Sequence, residues 1–407
     1  MEFTPTRAAG LAALDSFLPR AGKRYASTRN HDLGTGRDNV SQQSPWLHAG
    51  LLSESEVLET VLGQHSASAA EKFVSEVFWR IYFKGYLEQR PSVWRSYCDG
   101  RDAALAALDA NAGLRKAHDE ATGGRTGIEA FDHWARELVE TGYLHNHARM
   151  WFASIWMHTL QLDWHLGADF FLRHLRDGDA ASNTLSWRWV AGLHTKGKHY
   201  MARKGNIARY TADHPAGPLA AEGLASDAEP LTEAEDHQRN PLDLPAAQPD
   251  FDTGEPFALL LHDEAASHAV LDLPRPPALV IGAARPEARS PLEVGDAARS
   301  FAQEAVHGGV QEAAAQFGCA QAEWRAQDRL AALMEEAGAK RLVMPYLPIG
   351  WTRDALWPEL EPLASDGRLT TLLPELDRAT WPHAKAGFFG VKKVMHSAMR
   401  EAGIAGA

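Results

Sequence analysis

Three side chains of the segment FVSEVFWRIYF (73–83) are spaced so that they can act together. Glu76, Trp79 and Arg80 stand three and four positions apart, so a helix would place them on one face. A carboxylate and an indole beside a guanidinium are an unusual choice for an apolar core, and this combination indicates a binding site. A solvent-exposed face of salt bridges is the alternative interpretation.

Two further segments, HNHARM (145–150) and DGDAASNTLSWRW (177–189), carry matching polar groups. The side chains concerned are Asn146, Arg149, Asp177, Asp179 and Asn183. Met150 shares a helical face with the amide and the guanidinium of the first segment. Asp-Gly-Asp in the second segment is similar to half of a calcium loop, but no glutamate ligand follows at the required offset. Two carboxylates, an amide and a guanidinium can together satisfy a heterocycle that has several donors and acceptors.

A polar loop, GRDNVSQQSPWLHAG (36–50), is a candidate phosphate site. Ser41 and Ser44 precede or begin a helix, where hydroxyls and exposed backbone N–H groups can donate to a phosphate. A simple serine cap is the alternative interpretation.

The elements that must position these groups are helical. Helical periodicity extends over four segments of the first half: 7–18, 66–89, 126–142 and 145–164. Residues 211–256 are rich in Pro, Ala and acidic residues without periodicity, which is typical of a linker or a loosely packed crossing segment.

The second half alternates between strands and helices. Short apolar runs predict strands at 257–262, 278–283, 340–346 and 368–373. Helices are predicted at 296–317 and 326–339, near 353–365 and near 387–402. This alternation predicts a Rossmann-like parallel sheet, although the G-x-G-x-x-G fingerprint is absent. We therefore predict an all-helical domain (1–212), an acidic linker (213–255) and a smaller α/β domain (256–407).

Composition excludes several classes of protein. The 407 residues include only Cys98 and Cys319, which excludes a disulfide framework and a four-cysteine metal site. We predict no metal site. The absence of a membrane-length apolar run and of a signal-peptide pattern predicts a soluble, cytoplasmic protein that does not bind a membrane. Lys and Arg number 25 against 24 Asp and Glu in residues 1–215, but 16 against 29 in residues 216–407. Only the first half can therefore present a basic surface.

The order of the motifs resembles the FAD-binding helical domain of the DNA photolyase/cryptochrome family. The resemblance covers about residues 20–200. The matching elements are Tyr25 with RN (29–30), SxxSPxLxxG (41–50), EKFxxExxWR (71–80), RTGIEAFDxxxREL (125–138), TGYLHNxxRMxxAS (141–154), DW (163–164) and DGDAASNxxxWxW (177–189).

The resemblance implies bound FAD and a role for each matching position. The FAD phosphates would be surrounded by Tyr25, Ser41, Ser44 and Arg80. The ribityl chain and isoalloxazine would be faced by Arg149, Asp177, Asp179 and, beside flavin N5, Asn183. A flipped pyrimidine dimer would be lined by Glu76, Trp79, Asn146, Met150 and Trp189. Trp187 and Trp164 would be the proximal and middle members of an electron-transfer chain.

The chain departs from the family pattern at several points. Val40 and Gln43 stand where Thr and Leu are usual, and His147 stands where repairing members usually have Arg. No Trp occurs between Trp94 and Trp134, where the usual third tryptophan of the electron-transfer chain is expected; the candidate substitutes are Trp94, Trp134, Trp151 and Trp156. The segment after Trp189 is replaced by a basic run suited to DNA phosphates: Lys196, Lys198, Arg203, Lys204 and Arg209. A solvated loop is the alternative for that run.

The order of the two domains is also unusual. Members of the family carry an α/β antenna domain before the FAD domain, whereas here the similar segments, 340–363 and 382–395, come after it. This weaker resemblance identifies no antenna chromophore. The acidity of the second half argues against DNA contact on that side.

The leading functional hypothesis is a photolyase-like lyase that repairs cyclobutane pyrimidine dimers in damaged DNA by light-driven electron transfer from reduced FAD. A cryptochrome-like light or redox sensor without repair activity is the alternative, and a binding module with a structural FAD is a third. The matching dimer-pocket residues favour repair, whereas His147, the altered segment after Trp189 and the acidic second half favour the others.

Overall fold

The computed structural model describes residues 3–247 and 254–406. Helices dominate the first half, and strands alternate with helices in the second. The helices are α1 (Arg7–Phe17), α2 (Lys23–Thr28), α3 (Ser44–His48), α4 (Glu54–Gln64), α5 (Ala67–Glu88), α6 (Pro91–Ala110), α7 (Ala112–Thr122), α8 (Glu129–Thr141), α9 (Asn146–Ser154), α10 (Trp164–His174), α11 (Ala180–Ala191), α12 (Lys204–Tyr210), α13 (Asp296–Phe317), α14 (Leu330–Glu336), α15 (Trp351–Ser365), α16 (Glu375–Thr380), α17 (Phe389–Lys392) and α18 (Met395–Glu401). The strands are β1 (Phe257–His262), β2 (Leu279–Ala283), β3 (Ala320–Glu323), β4 (Arg341–Pro345) and β5 (Leu369–Leu372).

Local capping chemistry sets the helix starts that matter for the site. Ser53 and Glu56 form a reciprocal capping box at the start of α4. Asp179 caps α11 by accepting a hydrogen bond from the Ser182 N–H at 2.8 Å. The backbone therefore fixes the position of one of the predicted site carboxylates.

Two predicted helices are interrupted in the structure. The segment 145–164 ends as an α-helix at Ser154, continues as a π-helical turn over Ile155–Thr159, and restarts at Trp164 with Asp163 as cap. The segment near 387–402 divides into α17 and α18. The sequence patterns also do not single out α4, α6 and α7.

The sheet is parallel throughout, as the alternation predicted, and its strand order is β3-β2-β1-β4-β5. The order reverses between β1 and β4, so a crevice opens outside their carboxyl ends. Strand β3 was not predicted, because its sequence AQAE is polar and largely exposed. It joins the sheet edge by backbone pairing with β2.

The α/β part docks on the helical part at the loop of residues 177–179. Trp351 Nε1, at the start of α15, donates to Gly178 O at 2.8 Å. Arg289 Nη1 donates to Leu175 O at 2.7 Å, and its guanidinium lies over the Trp351 ring at 5.0 Å. A Cβ on Gly178 would lie 2.3 Å from Arg289 Cζ, so this close approach requires a glycine.

Helix α12 ends at Tyr210, and β1 begins at Phe257. Between them, the described residues form no regular element. They are nevertheless attached to the helices, since Glu233 forms a two-pronged ion pair with Arg188 of α11. No helix within 3–247 or 254–406 is long and apolar enough to cross a membrane.

Candidate functional site

The loop of residues 177–179 gathers four of the predicted charged groups. Arg149 Nη2 donates to Asp177 Oδ2 at 3.1 Å, and Arg80 Nη1 lies 2.9 Å from Asp179 Oδ2. Both carboxylates are buried. The site is therefore assembled by α5, α9 and the start of α11.

Asp177 is held in its ionised form. Burial favours the neutral carboxyl, but the Arg149 guanidinium and the Ser44 hydroxyl outweigh it, so the pKa of Asp177 lies below its ordinary value. Ser44, the first residue of α3, thus contacts the carboxylate loop directly. The remaining lone pairs of the carboxylate can accept hydrogen bonds from a heterocycle.

The Arg80 guanidinium is bound by acids on two sides. Besides Asp179, it contacts Glu54 Oε1 through Nε at 3.4 Å. Its side chain is only 12% exposed. Among the residues that the structure describes, Nη2 has no hydrogen-bond partner. Arg80 therefore keeps donors available for a phosphate oxygen.

The loop before α3 is fixed by hydrogen bonds and ion pairs to neighbouring residues. Gln42, next to Ser41, has a φ of 54°, in the left-handed region that favours glycine. Its Nε2 donates to Arg37 O at 3.2 Å. Arg37 in turn forms buried ion pairs with Asp32 and Glu137. This network fixes a loop whose sequence departs from the family pattern.

Glu76 and Arg80 share a helical face but not a partner. Glu76 forms an ion pair with Arg29, and Arg29 also bonds the Tyr25 hydroxyl. Burial raises the pKa of that hydroxyl, which therefore stays protonated. The site thus contains a Tyr25–Arg29–Glu76 chain. Sequence reasoning noted Arg29 only within a motif and did not assign it to Glu76.

Trp79 has a partner from the far end of the chain. Its ring stacks on Phe388, with centroids 4.0 Å apart and planes 10° apart. Phe388 lies in the last turn-rich segment of the chain, between α16 and α17, and no sequence signal joined it to α5.

The remaining predicted dimer-pocket residues lie on α9 and α11. Asn146 is exposed at the start of α9, and Met150 is half-buried one turn later. Trp189, also half-buried, stacks on Tyr200 with centroids 5.8 Å apart. Tyr200 belongs to the segment that replaces the usual family sequence, so that segment supplies an aromatic neighbour for Trp189.

Helix α11 carries buried polar atoms without partners. Within the described residues, these atoms are Ser182 Oγ, Thr184 Oγ1 and Trp187 Nε1. Asn183 uses its Nδ2 to donate to Ala168 O at 2.8 Å, which fixes the side-chain amide. Buried polar groups without partners are costly, and these three lie on more than one face of the helix.

The predicted electron-transfer residues have different aromatic neighbours. Trp187 lies 6.3 Å from Trp156, centroid to centroid, and a Cβ on Gly167 would meet both rings. Trp164 stands 5.9 Å from Tyr97, which lies 5.2 Å from Trp94. Of the candidate substitutes for the third tryptophan, Trp156 therefore neighbours Trp187 directly, whereas Trp94 is connected to Trp164 through the Tyr97 ring.

Most of the predicted DNA-facing residues make contacts within the chain. His147 stacks on Trp151 at 4.1 Å, and its Nδ1 donates to Asn30 O at 3.1 Å. Burial lowers the pKa of His147, so it is neutral at pH 7. Lys196 and Lys204 form exposed ion pairs with Asp236 and Glu222, whereas Lys198 and Arg203 are exposed and without an ion pair among the described residues.

Residues 73–214 match the family described as the FAD binding domain of DNA photolyase. This region is a photolyase-type FAD-binding domain. It includes Arg80, Arg149, the 177–179 loop and α11. Tyr25, Ser41 and Ser44 lie before the matched residues, and the structure attaches Ser44 to them through Asp177.

Individual relatives cover part of the chain. Deoxyribodipyrimidine photo-lyase of Streptomyces griseus is 35% identical over 159 residues, which are 39% of this chain and 33% of that protein. The Thermus thermophilus protein of the same name is 33% identical over 189 residues, 46% of this chain and 43% of that protein. A solved class III photolyase from Agrobacterium tumefaciens is 27% identical with a TM-score of 0.44, covering 51% of this chain and 43% of its own. The chain spans less than half the length of each.

The donor set fits FAD. Arg80 offers unpaired N–H donors for a phosphate, and the ionised Asp177, held by Arg149, offers acceptors for a ring N–H. The cofactor is thus FAD, and these residues would hold it; the antenna chromophore stays unassigned.

A cleft of about 570 Å³ lies between the α3–α4 segment with Lys84 of α5 on one side and the carboxyl ends of β1 and β4 on the other. Its lining includes Lys84, Glu264 and Asp377. Burial raises the pKa of Glu264 to about 8 and that of Asp377 to about 7. Glu264 also lies 3.6 Å from His48, so this joint connects the sheet to helix α3. Sequence reasoning assigned no role to these groups.

Proposed function

We propose that the protein is a light-driven lyase that splits cyclobutane pyrimidine dimers in DNA. The observation that carries the proposal is the assembly of the charged groups around the 177–179 loop within a photolyase-type FAD-binding domain. The dimer-pocket residues of the family pattern stand on the same three helices, α5, α9 and α11.

Each group of residues has a task in this proposal. Arg80 binds the FAD phosphates, and Arg149 with Asp177 orients the isoalloxazine. Trp79 and Trp189 stack against the flipped bases, and Glu76, kept in place by Arg29, accepts their hydrogen bonds. FAD, when bound and reduced, supplies the photoexcited electron that opens the dimer.

A light or redox sensor is the second candidate, and two contacts favour it. Phe388 covers one face of Trp79, and the basic residues Lys196 and Lys204 are paired with acids of the same chain. Both contacts reduce what the site offers to DNA. A sensor would still photoreduce its FAD through Trp187.

Repair and sensing are separated by one assay. Chemically pre-reduced protein is illuminated with an oligonucleotide that contains one pyrimidine dimer, and restored bases are quantified against a dark control. Light-dependent restoration supports the lyase. Normal photoreduction of the oxidised protein without restoration of the bases would support the sensor instead.

A further inference from the structure

The end of the chain contains a basic segment inside an acidic half. Residues 381–400 hold four Lys or Arg and no Asp or Glu, whereas residues 216–407 as a whole carry 16 basic and 29 acidic residues. Lys385 and Lys393 are exposed, and within the described residues neither forms an ion pair. Between them Phe389 is 78% exposed, far more than any other large apolar side chain described in the structure. We call residues 383–393 the basic hook.

The basic hook is attached to the helix that carries Trp79. Phe388 stacks on Trp79, Tyr82 Oη donates to Ala386 O at 2.6 Å, and Lys392 Nζ lies 3.0 Å from Glu71 Oε1. Because Phe388 is buried and its neighbour Phe389 is exposed, the stack on Trp79 holds the Phe389 ring outward. The exposed phenyl is therefore positioned by the fold.

A second basic segment meets the hook at the same tyrosine. His194 Nε2 lies 2.8 Å from Tyr82 Oη, and Tyr82 uses its own proton for Ala386 O. His194 leads into the loop with Lys196 and Lys198. The hook and this loop therefore converge beside Trp79, although they come from opposite ends of the chain.

We infer that the basic hook is a nucleic-acid-binding element in which Lys385 and Lys393 bind backbone phosphates and Phe389 stacks on or wedges beside a base next to the Trp79 pocket. Exposed lysines suit phosphates, and an exposed aromatic ring suits an unstacked base. The inference rests on the proposed function, because a flipped dimer leaves unstacked bases beside it. An anionic membrane surface would also bind exposed cations and an exposed apolar ring, but the convergence of the hook and the Lys196–Lys198 loop beside Trp79 favours DNA.

The test measures binding of a dimer-containing and an undamaged oligonucleotide, at several salt concentrations, to the full-length protein with FAD bound. Phe389→Ala is expected to weaken binding at least fivefold with an unchanged salt slope, since a stacking contact carries no charge. The double variant Lys385→Gln/Lys393→Gln is expected to make the negative slope of log K against log salt shallower by up to about 2, because two phosphate contacts are lost. The matched control is the double variant Lys116→Gln/Lys340→Gln. Both lysines are exposed, Lys116 on α7 and Lys340 before β4. Retained flavin absorbance shows that each variant is folded.

The outcomes separate this inference from the proposed function. If the hook variants bind DNA like the control while the wild type repairs dimers, the hook inference is overturned and the lyase stands. If the hook variants lose DNA binding but the wild type repairs nothing, the inference stands and the lyase falls. If the wild type binds no DNA, or binds anionic phosphatidylserine vesicles through the hook in preference to DNA, the inference is overturned.

Discussion

The buried carboxyl of Glu264 should make the protein less stable as the pH rises from 5 to 9. Burial raises the pKa of this carboxyl to about 8; Asp179 and Asp263 add to the rise, and Lys84 and Arg80 oppose it. The fold therefore prefers the protonated form. The associated stability is fully present below the ordinary pKa and is lost as the pH rises through 8.

The size of the effect follows from the shift. The pKa of Glu264 rises from 4.5 to about 8, and each unit corresponds to about 1.4 kcal/mol. The free energy of unfolding should thus fall by about 3 to 5 kcal/mol between pH 5 and pH 9 on account of this group. Asp377, whose pKa is raised to about 7 in the same cleft, acts in the same direction.

Urea unfolding of the FAD-bound protein at pH 5 and pH 9 measures this difference. Glu264→Gln keeps the side-chain volume and removes the titration, so its stability should depend less on pH and should exceed the wild type at pH 9 by at least about 1 kcal/mol. Glu361→Gln, at an exposed position of α15, is the matched control and should follow the wild type. A decline in Glu264→Gln that is parallel to the wild type would refute the reasoning.

Four further substitutions probe the flavin site and the neighbouring dimer pocket. Trp187→Phe should keep the fold and FAD but slow light-driven reduction of oxidised FAD by more than about tenfold, since it removes a reducible indole and retains much of the ring volume. Trp164→Phe should slow the same reduction less strongly if Trp156, beside Trp187, offers the electron another route. Trp189→Phe should weaken dimer binding or repair and leave photoreduction intact. Arg80→Lys keeps the charge but loses the forked donor geometry, so FAD should dissociate about tenfold more readily.

These expectations have distinct controls. For each tryptophan variant, flavin bleaching under blue light with a thiol donor and dimer repair by the pre-reduced protein are both measured. Photoreduction and repair are thereby scored separately. Unchanged bleaching in Trp187→Phe would reduce that residue to a packing role. For Arg80→Lys the control is Arg101→Lys on α6, whose only ion pair among the described residues is with its neighbour Asp102; equal FAD loss in both variants would contradict a specific role for Arg80.

Local spacing predicted helices α5 and α9 but not α11, and it did not predict which groups pair within the site. Glu76, Trp79 and Arg80 do lie on α5, as a 3.6-residue period requires. Their partners are Arg29, Phe388 and Asp179, which come from three distant parts of the chain. Periodicity describes one helix, whereas partner choice depends on how helices and loops pack.

The parallel sheet was predictable because four of its strands are apolar runs of buried length. Strand β3 lies on the edge, where backbone hydrogen bonds can recruit a polar sequence that has no hydrophobic signal. The docking of the sheet on the 177–179 loop could not be predicted either. It depends on Arg289 and Trp351, whose roles follow from three-dimensional packing alone.

The FAD content of the purified protein tests the central claim most directly. The protein is denatured after careful purification, and the flavin released into solution is quantified and identified by chromatography. The site formed by Arg80, Arg149 and Asp177 predicts about one non-covalently bound FAD per chain. Colourless protein that releases no flavin on denaturation would contradict the whole account.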